Sequence, residues 1–225
     1  MALLVFIATL AAVLSWLCRS RRISGRATRL ALGYLLLVNE LVWWVFRYSR
    51  EGIHLPNLPL QLCDLTLWAT VAICLFPRRT LLELSYFAGL AGAGMALLTP
   101  DLLWPWPSYP AIYFFLAHGG LVIANLVLVY GGIVPLAPGA PWRAFAMLVA
   151  YSAAMGVFDA LSGANYMYLC RKPHDATLLN VLGPWPIYVV PCLALALGLY
   201  WLLWLVRPRF GGGYEANSHL ARPKK

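Results

Sequence analysis

The stretch LPLQLCDLTLWATVAICLF, Leu58 to Phe76, is apolar over nearly its whole length and carries no glycine or proline after Pro59. As a helix rising 1.5 Å per residue it covers most of a hydrocarbon layer about 30 Å thick. A run of this kind either crosses a bilayer or lies in the core of a large soluble protein, and composition decides between them. Of 225 residues 62% are hydrophobic and 11% are charged, with ten Trp and twelve Tyr, too apolar for a soluble domain of this length.

Six further runs repeat the pattern, so the chain reads as seven spans: Ala2 to Leu17, Leu30 to Phe46, Leu58 to Phe76, Thr80 to Leu98, Ala111 to Tyr130, Phe145 to Leu161 and Ile187 to Val206. The runs are continuously apolar rather than alternating, which excludes a barrel. The fold class is therefore all-α, a polytopic membrane helix bundle of about seven transmembrane helices. Residues 1–206 form one helix-bundle domain, and 207–225, with the Gly211-Gly212-Gly213 run and a basic end, read as a disordered cytoplasmic tail.

The net charge of +9 does not point to nucleic acid, because the basic residues sit in short clusters between apolar runs. With the N-terminus outside and the C-terminus in the cytoplasm, thirteen of the 17 Lys and Arg lie on the cytoplasmic side, as the positive-inside rule requires. The first span has no basic segment before it and is followed by Arg19, Arg21 and Arg22, so it reads as an anchor rather than a cleaved signal. Leucine, alanine and arginine usage suits a bacterial inner membrane. The spans that enter from outside after the first follow prolines: Pro56 and Pro59; Pro105, Pro107 and Pro110; Pro184 and Pro186. Prolines are expected in the first helical turn, and Trp104, Trp106 and Trp185 serve as headgroup-level anchors.

Polar residues inside a bilayer need partners or water. On this topology Cys63, His118 and Cys192 fall roughly 7 to 12 Å below the outer interface. Glu40 falls at similar depth, and Asp159 lies near the outer end of its span. Glu83 is expected to be structural, paired with Arg79 one turn away. Asn125 shares a helical face with His118 and reads either as interhelical glue or as a ligand contact. The five cysteines show no CxxC spacing and no zinc-ribbon pattern, although Cys170 and Cys192 leave room for one disulfide.

A thiol attacks as its thiolate, a charge that apolar surroundings disfavour, so a base must lie nearby. His118 suits that task, taking the proton from Cys63 and later returning it to a leaving group. Asp64 or Glu40 would hold the second imidazole nitrogen. Gln61, beside the thiol, is a candidate substrate contact.

The segments LPLQLCDL (Leu58 to Leu65), PSYPAIYFFLAHG (Pro107 to Gly119), YMYLCRKP (Tyr166 to Pro173) and LLNVLGPWPIY (Leu178 to Tyr188) resemble the YwaF-like integral membrane proteins. That family is similar to the eukaryotic transmembrane acyltransferase that moves polyunsaturated acyl chains from phosphatidylcholine to lyso ether phosphatidylethanolamine. The resemblance implies a thioester-forming Cys63 with His118 as its partner, and phospholipid and lysophospholipid substrates. Arg171, Lys172 and His174 would then bind the lipid phosphate. Asn39, Asn125 or free amides at a proline-broken helix end would form the oxyanion site. No nucleotide or metal motif calls for a cofactor.

Two other readings remain open. One is a proton- or cation-coupled transporter of small solutes using Glu40, Asp64, His118 and Asp159. The other is a metal site made by Cys63, His118, Cys192 and one carboxylate.

Overall fold

The structure, a computed structural model, describes residues 1–100, 102, 104–172 and 181–209. Among these residues the chain is all-helical. Its helices are α1 (Ala2–Arg19), α2 (Gly25–Glu51), α3 (Leu62–Leu75), α4 (Arg79–Leu98), α5 (Tyr109–Tyr130), α6 (Ala140–Ser162) and α7 (Val189–Leu205). Five of them, α1, α2, α4, α5 and α6, are long and apolar enough to cross a membrane, while α3 and α7 are shorter. Each of the seven expected spans corresponds to a helix. The tail residues 210–225 and His174 lie outside the described residues.

The ends are set by local chemistry. Ser24 caps α2 by accepting from the Ala27 amide at 3.3 Å, and Gly52 closes that helix at a φ of 72°, a conformation that favours glycine. Pro110 and Pro141 stand in the first turns of α5 and α6, where a missing N–H has no helical partner to lose. The prolines before the third span behave differently from expectation. Pro59 lies ahead of the helix, and α3 begins only at Leu62, because Gln61 and Asp64 supply the start.

Helix α5 is the hub. Its neighbouring glycines, Gly119 and Gly120, let α1 and α2 approach: a Cβ at the first would lie 2.8 Å from Ile7, and at the second 2.7 Å from Leu36. Small residues are the usual means of bringing membrane helices together. Helix α4 carries a π-helical turn, Ser85–Gly89, whose five residues are all buried. Gly89 in that turn packs between Leu121 of α5 and Thr66 of α3. Helix α7 sits at the rim, with Tyr200 its only fully buried residue.

Two polar ties cross the interior. Ser85 donates to Asn125 Oδ1 at 2.7 Å, Asn125 Nδ2 donates to Thr70 at 3.1 Å and to the Leu121 carbonyl at 3.0 Å, and the Thr70 and Ser85 hydroxyls share a 2.6 Å bond. All three side chains are fully buried, so Asn125 is interhelical glue joining α3, α4 and α5. Replacing Asn125 by leucine should destabilise the bundle by about 1–2 kcal/mol, read as an earlier unfolding transition in detergent titration. The second tie corrects an expectation. Buried Glu83 pairs with Arg143 of α6, through bonds of 2.8 and 2.5 Å, and not with Arg79. The two-pronged geometry of a guanidinium against a carboxylate favours that partner over a neighbour on the same helix.

Candidate active site

The start of α3 is built by its own sequence. The Gln61 amide donates to Asp64 Oδ2 at 3.0 Å, the reciprocal half of a helix-start box. The Gln61 side-chain oxygen accepts from the Met167 amide at 3.0 Å. Tyr151 of α6 donates to the Leu60 carbonyl at 2.8 Å, and Tyr166 donates to the carbonyls of Leu55 and Leu58 at 2.6 and 3.1 Å. The segment before α3 is thus bolted to α6 and to the loop that follows it. Gln61, expected beside a substrate, is occupied by that loop. Asp64, expected beside the imidazole, is occupied by the cap.

Cys63 lies in the first turn of α3, partly exposed. First-turn amides have no partner within their own helix and carry the positive end of its dipole. Helices α3 and α5 run in the same direction, and two pairings fix their register: Thr70 bonds Asn125, and Gly89 touches both Thr66 and Leu121. Both pairs are offset by the same interval, and that interval carries Cys63 to the level of His118. Cys63 also stands seven residues before Thr70, and His118 seven before Asn125. Seven residues are nearly two turns, so both residues sit on the faces through which their helices already meet.

The imidazole has a defined tautomer. His118 Nδ1 lies 2.8 Å from the Phe114 carbonyl. A carbonyl only accepts, so Nδ1 carries the hydrogen and Nε2 keeps its lone pair. The orienting group is therefore a backbone oxygen one turn earlier on α5, in place of the expected carboxylate. Glu40 is fully buried and has other partners: Tyr113 donates to it at 2.7 Å and Trp44 Nε1 at 3.1 Å. Trp43 stacks on Tyr113, with ring centroids 4.2 Å apart.

The remaining candidates divide. Asp159, 1% exposed, has neither carboxylate oxygen hydrogen-bonded. Arg171 is exposed and Lys172 half-buried, the latter with Nζ 5.5 Å from the centroid of the Tyr188 ring. Their loop is fixed by Asn165, whose side-chain oxygen accepts from the amides of Cys170 and Arg171 at 3.1 and 3.0 Å. All five cysteines are free. Among the described residues no three His, Cys, Asp or Glu side chains come together to hold a metal ion, so Cys63, His118 and Cys192 do not form the four-ligand set considered from sequence.

A profile of the TMEM164 family matches residues 1–205. The chain belongs to the TMEM164 family. No curated protein and no solved structure matches it. The family match takes in all seven helices, including α1, whereas the resemblance drawn from sequence covered Leu58 to Tyr188 and carried the YwaF-like label. Membership in the TMEM164 family and the apolar helices make this an integral membrane protein.

Sequence reasoning missed the groups that serve the site from outside it. Tyr113 and Trp44 were unassigned, although a buried carboxylate at Glu40 demands donors. Tyr151 and Tyr166 were also unassigned, and their hydroxyl bonds to loop carbonyls fall 91 to 111 residues away in the chain. No local spacing signals such pairs.

Proposed function

We propose that this TMEM164 family protein is a phospholipid acyltransferase that works through a thioester on Cys63. The observation that carries the reading is the shared level of Cys63, in the first turn of α3, and His118, with Nε2 unprotonated. His118 Nε2 takes the thiol proton, and the sulfur attacks the ester carbonyl of a phospholipid. The carbon–oxygen bond then breaks, and His118 returns the proton to the departing alkoxide, which leaves as a lysophospholipid. In the second half an acceptor hydroxyl gives its proton to His118 and attacks the thioester carbonyl, and the sulfur leaves and recovers that proton. The amides at the start of α3, which have no carbonyl partner within their own helix, serve as donors for the oxyanion. The route draws on no cofactor.

The Cys63 end of the bundle is read as the extracytoplasmic side of a bacterial inner membrane, since that orientation keeps most basic residues in the cytoplasm. Arg171 and Lys172, close to this end, serve as phosphate contacts. His174 completes that set.

The test is to incubate the purified protein with a phospholipid labelled in its acyl chain. The expected result is label that survives denaturation, maps to Cys63 and is released by neutral hydroxylamine. Transfer that continues with no such adduct would sink the covalent route.

One observation favours a second reading. A buried carboxylate without a partner, Asp159, suits a proton- or cation-coupled transporter. That reading needs a polar path toward the far end, where Thr70, Ser85 and Asn125 instead satisfy one another. Solute uptake by reconstituted vesicles, with no acyl label on the protein, would favour it.

A further inference from the structure

At the start of α3, next in the chain to Cys63, the bundle holds a cavity of about 170 Å³ that the proposed chemistry leaves without an occupant. Its walls come from Leu62 of α3, Leu148 and Ser152 of α6, Met167 and Leu169 of the following loop, and the first two turns of α7, including Cys192 and Ala196. Almost every wall is carbon or sulfur. The one phenol in the lining, Tyr188, has its hydroxyl bonded to the Tyr168 carbonyl. The lining carries no charged group, and beyond the Ser152 hydroxyl its surface is almost wholly apolar, which favours an aliphatic ligand over a headgroup or an ion.

The cavity is also elongated. Val189 and Ala196, both in its wall, are seven residues apart on α7, which is about 10 Å along the helix. Its long direction therefore runs with the helices, as a lipid chain does. At the top, the wall residue Leu62 stands in the same first turn of α3 as Cys63 and immediately before it, so the upper end of the cavity lies at the level of the thiol. Above it the roof is rigid. Met167 and Tyr168 both have φ of 55°, a left-handed conformation costly for such side chains, and Gln61 and Tyr188 hold them there through the Met167 amide and the Tyr168 carbonyl. At the side, α7 buries only Tyr200 fully, so the gap between α6 and α7 is bordered by a helix whose surface is largely open to lipid.

We infer that this cavity is the acyl-chain subsite: it receives the first methylenes of the fatty chain carried on Cys63, and the rest of a long chain leaves between α6 and α7. The inference rests on the thioester reading and adds the place of the chain and the residues that sense its length. The roof at Met167 and Leu169 also explains why Gln61 is committed to that loop: it holds the lid of the chain site beside the nucleophile.

Cys192 provides the measurement. In a Cys170→Ser background, Cys63 is acylated with the p-nitrophenyl ester of butanoic or hexadecanoic acid, and Cys192 is then alkylated with a maleimide and quantified by peptide mass. A hexadecanoyl chain should slow alkylation of Cys192 by about tenfold or more, and a butanoyl chain should slow it far less, since each methylene buried in the groove contributes about 0.8 kcal/mol. Ala196→Trp, which fills the deep end, should reduce the hexadecanoyl rate relative to the butanoyl rate by a similar factor. Ala194→Trp, on the exposed side of α7, should leave that ratio unchanged. If both esters acylate Cys63 and Cys192 reacts equally in each product, the chain lies elsewhere and the inference fails alone. If neither ester acylates Cys63, the thioester reading and the subsite fall together.

Discussion

Cys63→Ser is expected to lose acyl transfer by at least about 10³-fold, more than about 4 kcal/mol of barrier. The substitution changes one atom in a partly exposed first turn, so the helix start made by Gln61 and Asp64 is kept. What changes is the nucleophile. A hydroxyl at neutral pH is a far weaker attacking group than a thiol, and its conjugate base is harder to form. The loss should appear both in the hydroxylamine-sensitive adduct and in product lysophospholipid, with an unfolding transition matching that of the native protein. Cys170→Ser, in the roof loop, should keep full activity. Near-native transfer by the Cys63 variant would remove the covalent intermediate, and lipid exchange would then have to pass directly from donor to acceptor.

The helices were legible because each apolar run is long, continuous and bounded by charges or prolines. Ala2 to Leu17, read from composition, is Ala2–Arg19 in the structure, and Ala111 to Tyr130 is Tyr109–Tyr130. The third span was placed too early at its start, since hydropathy does not register that Gln61 and Asp64 cap one another across a single turn. Their polar side chains, odd in a lipid-facing helix, are ordinary at a helix start. The same distinction between local and distant pairing explains the corrected ion pair. An i, i+4 rule offers Arg79 to Glu83, while the partner found is 60 residues on, at Arg143.

For the site, sequence depth alone brought Cys63 and His118 to one stratum of the bilayer. It did not reveal why. The reason lies lower in the bundle, where Asn125, Thr70 and Ser85 lock α3 against α5 and α4, and the parallel course of α3 and α5 carries that register up to the thiol and the imidazole. A residue read as glue is thereby, on the proposed mechanism, a positioning residue for the pair about 10 Å above it, at 1.5 Å per residue. The identity of the imidazole's support was the least legible feature, because a backbone carbonyl has no signature in sequence. Glu40 and Asp64 were the visible acceptors, yet each is claimed by a donor nearer to hand.

That support leads to the second large effect. His118→Ala should slow formation of the Cys63 adduct by about 10² to 10⁴-fold, the usual contribution of a positioned general base. His118→Asn separates base from scaffold, because its amide can still donate to the Phe114 carbonyl while offering no nitrogen lone pair for the proton. An equal loss in both variants assigns the effect to proton transfer at Nε2. Recovery in the asparagine variant would assign it to the bond with Phe114, making the imidazole a structural tie. The measurement is single-turnover acylation followed from pH 6 to 9. With the histidine present the rate should be high at neutral pH; in either variant it should climb steadily with pH, as free thiolate accumulates without help. A histidine variant that acylates at the native rate across that range would take His118 out of the mechanism and leave Cys63 dependent on the amides of its own helix.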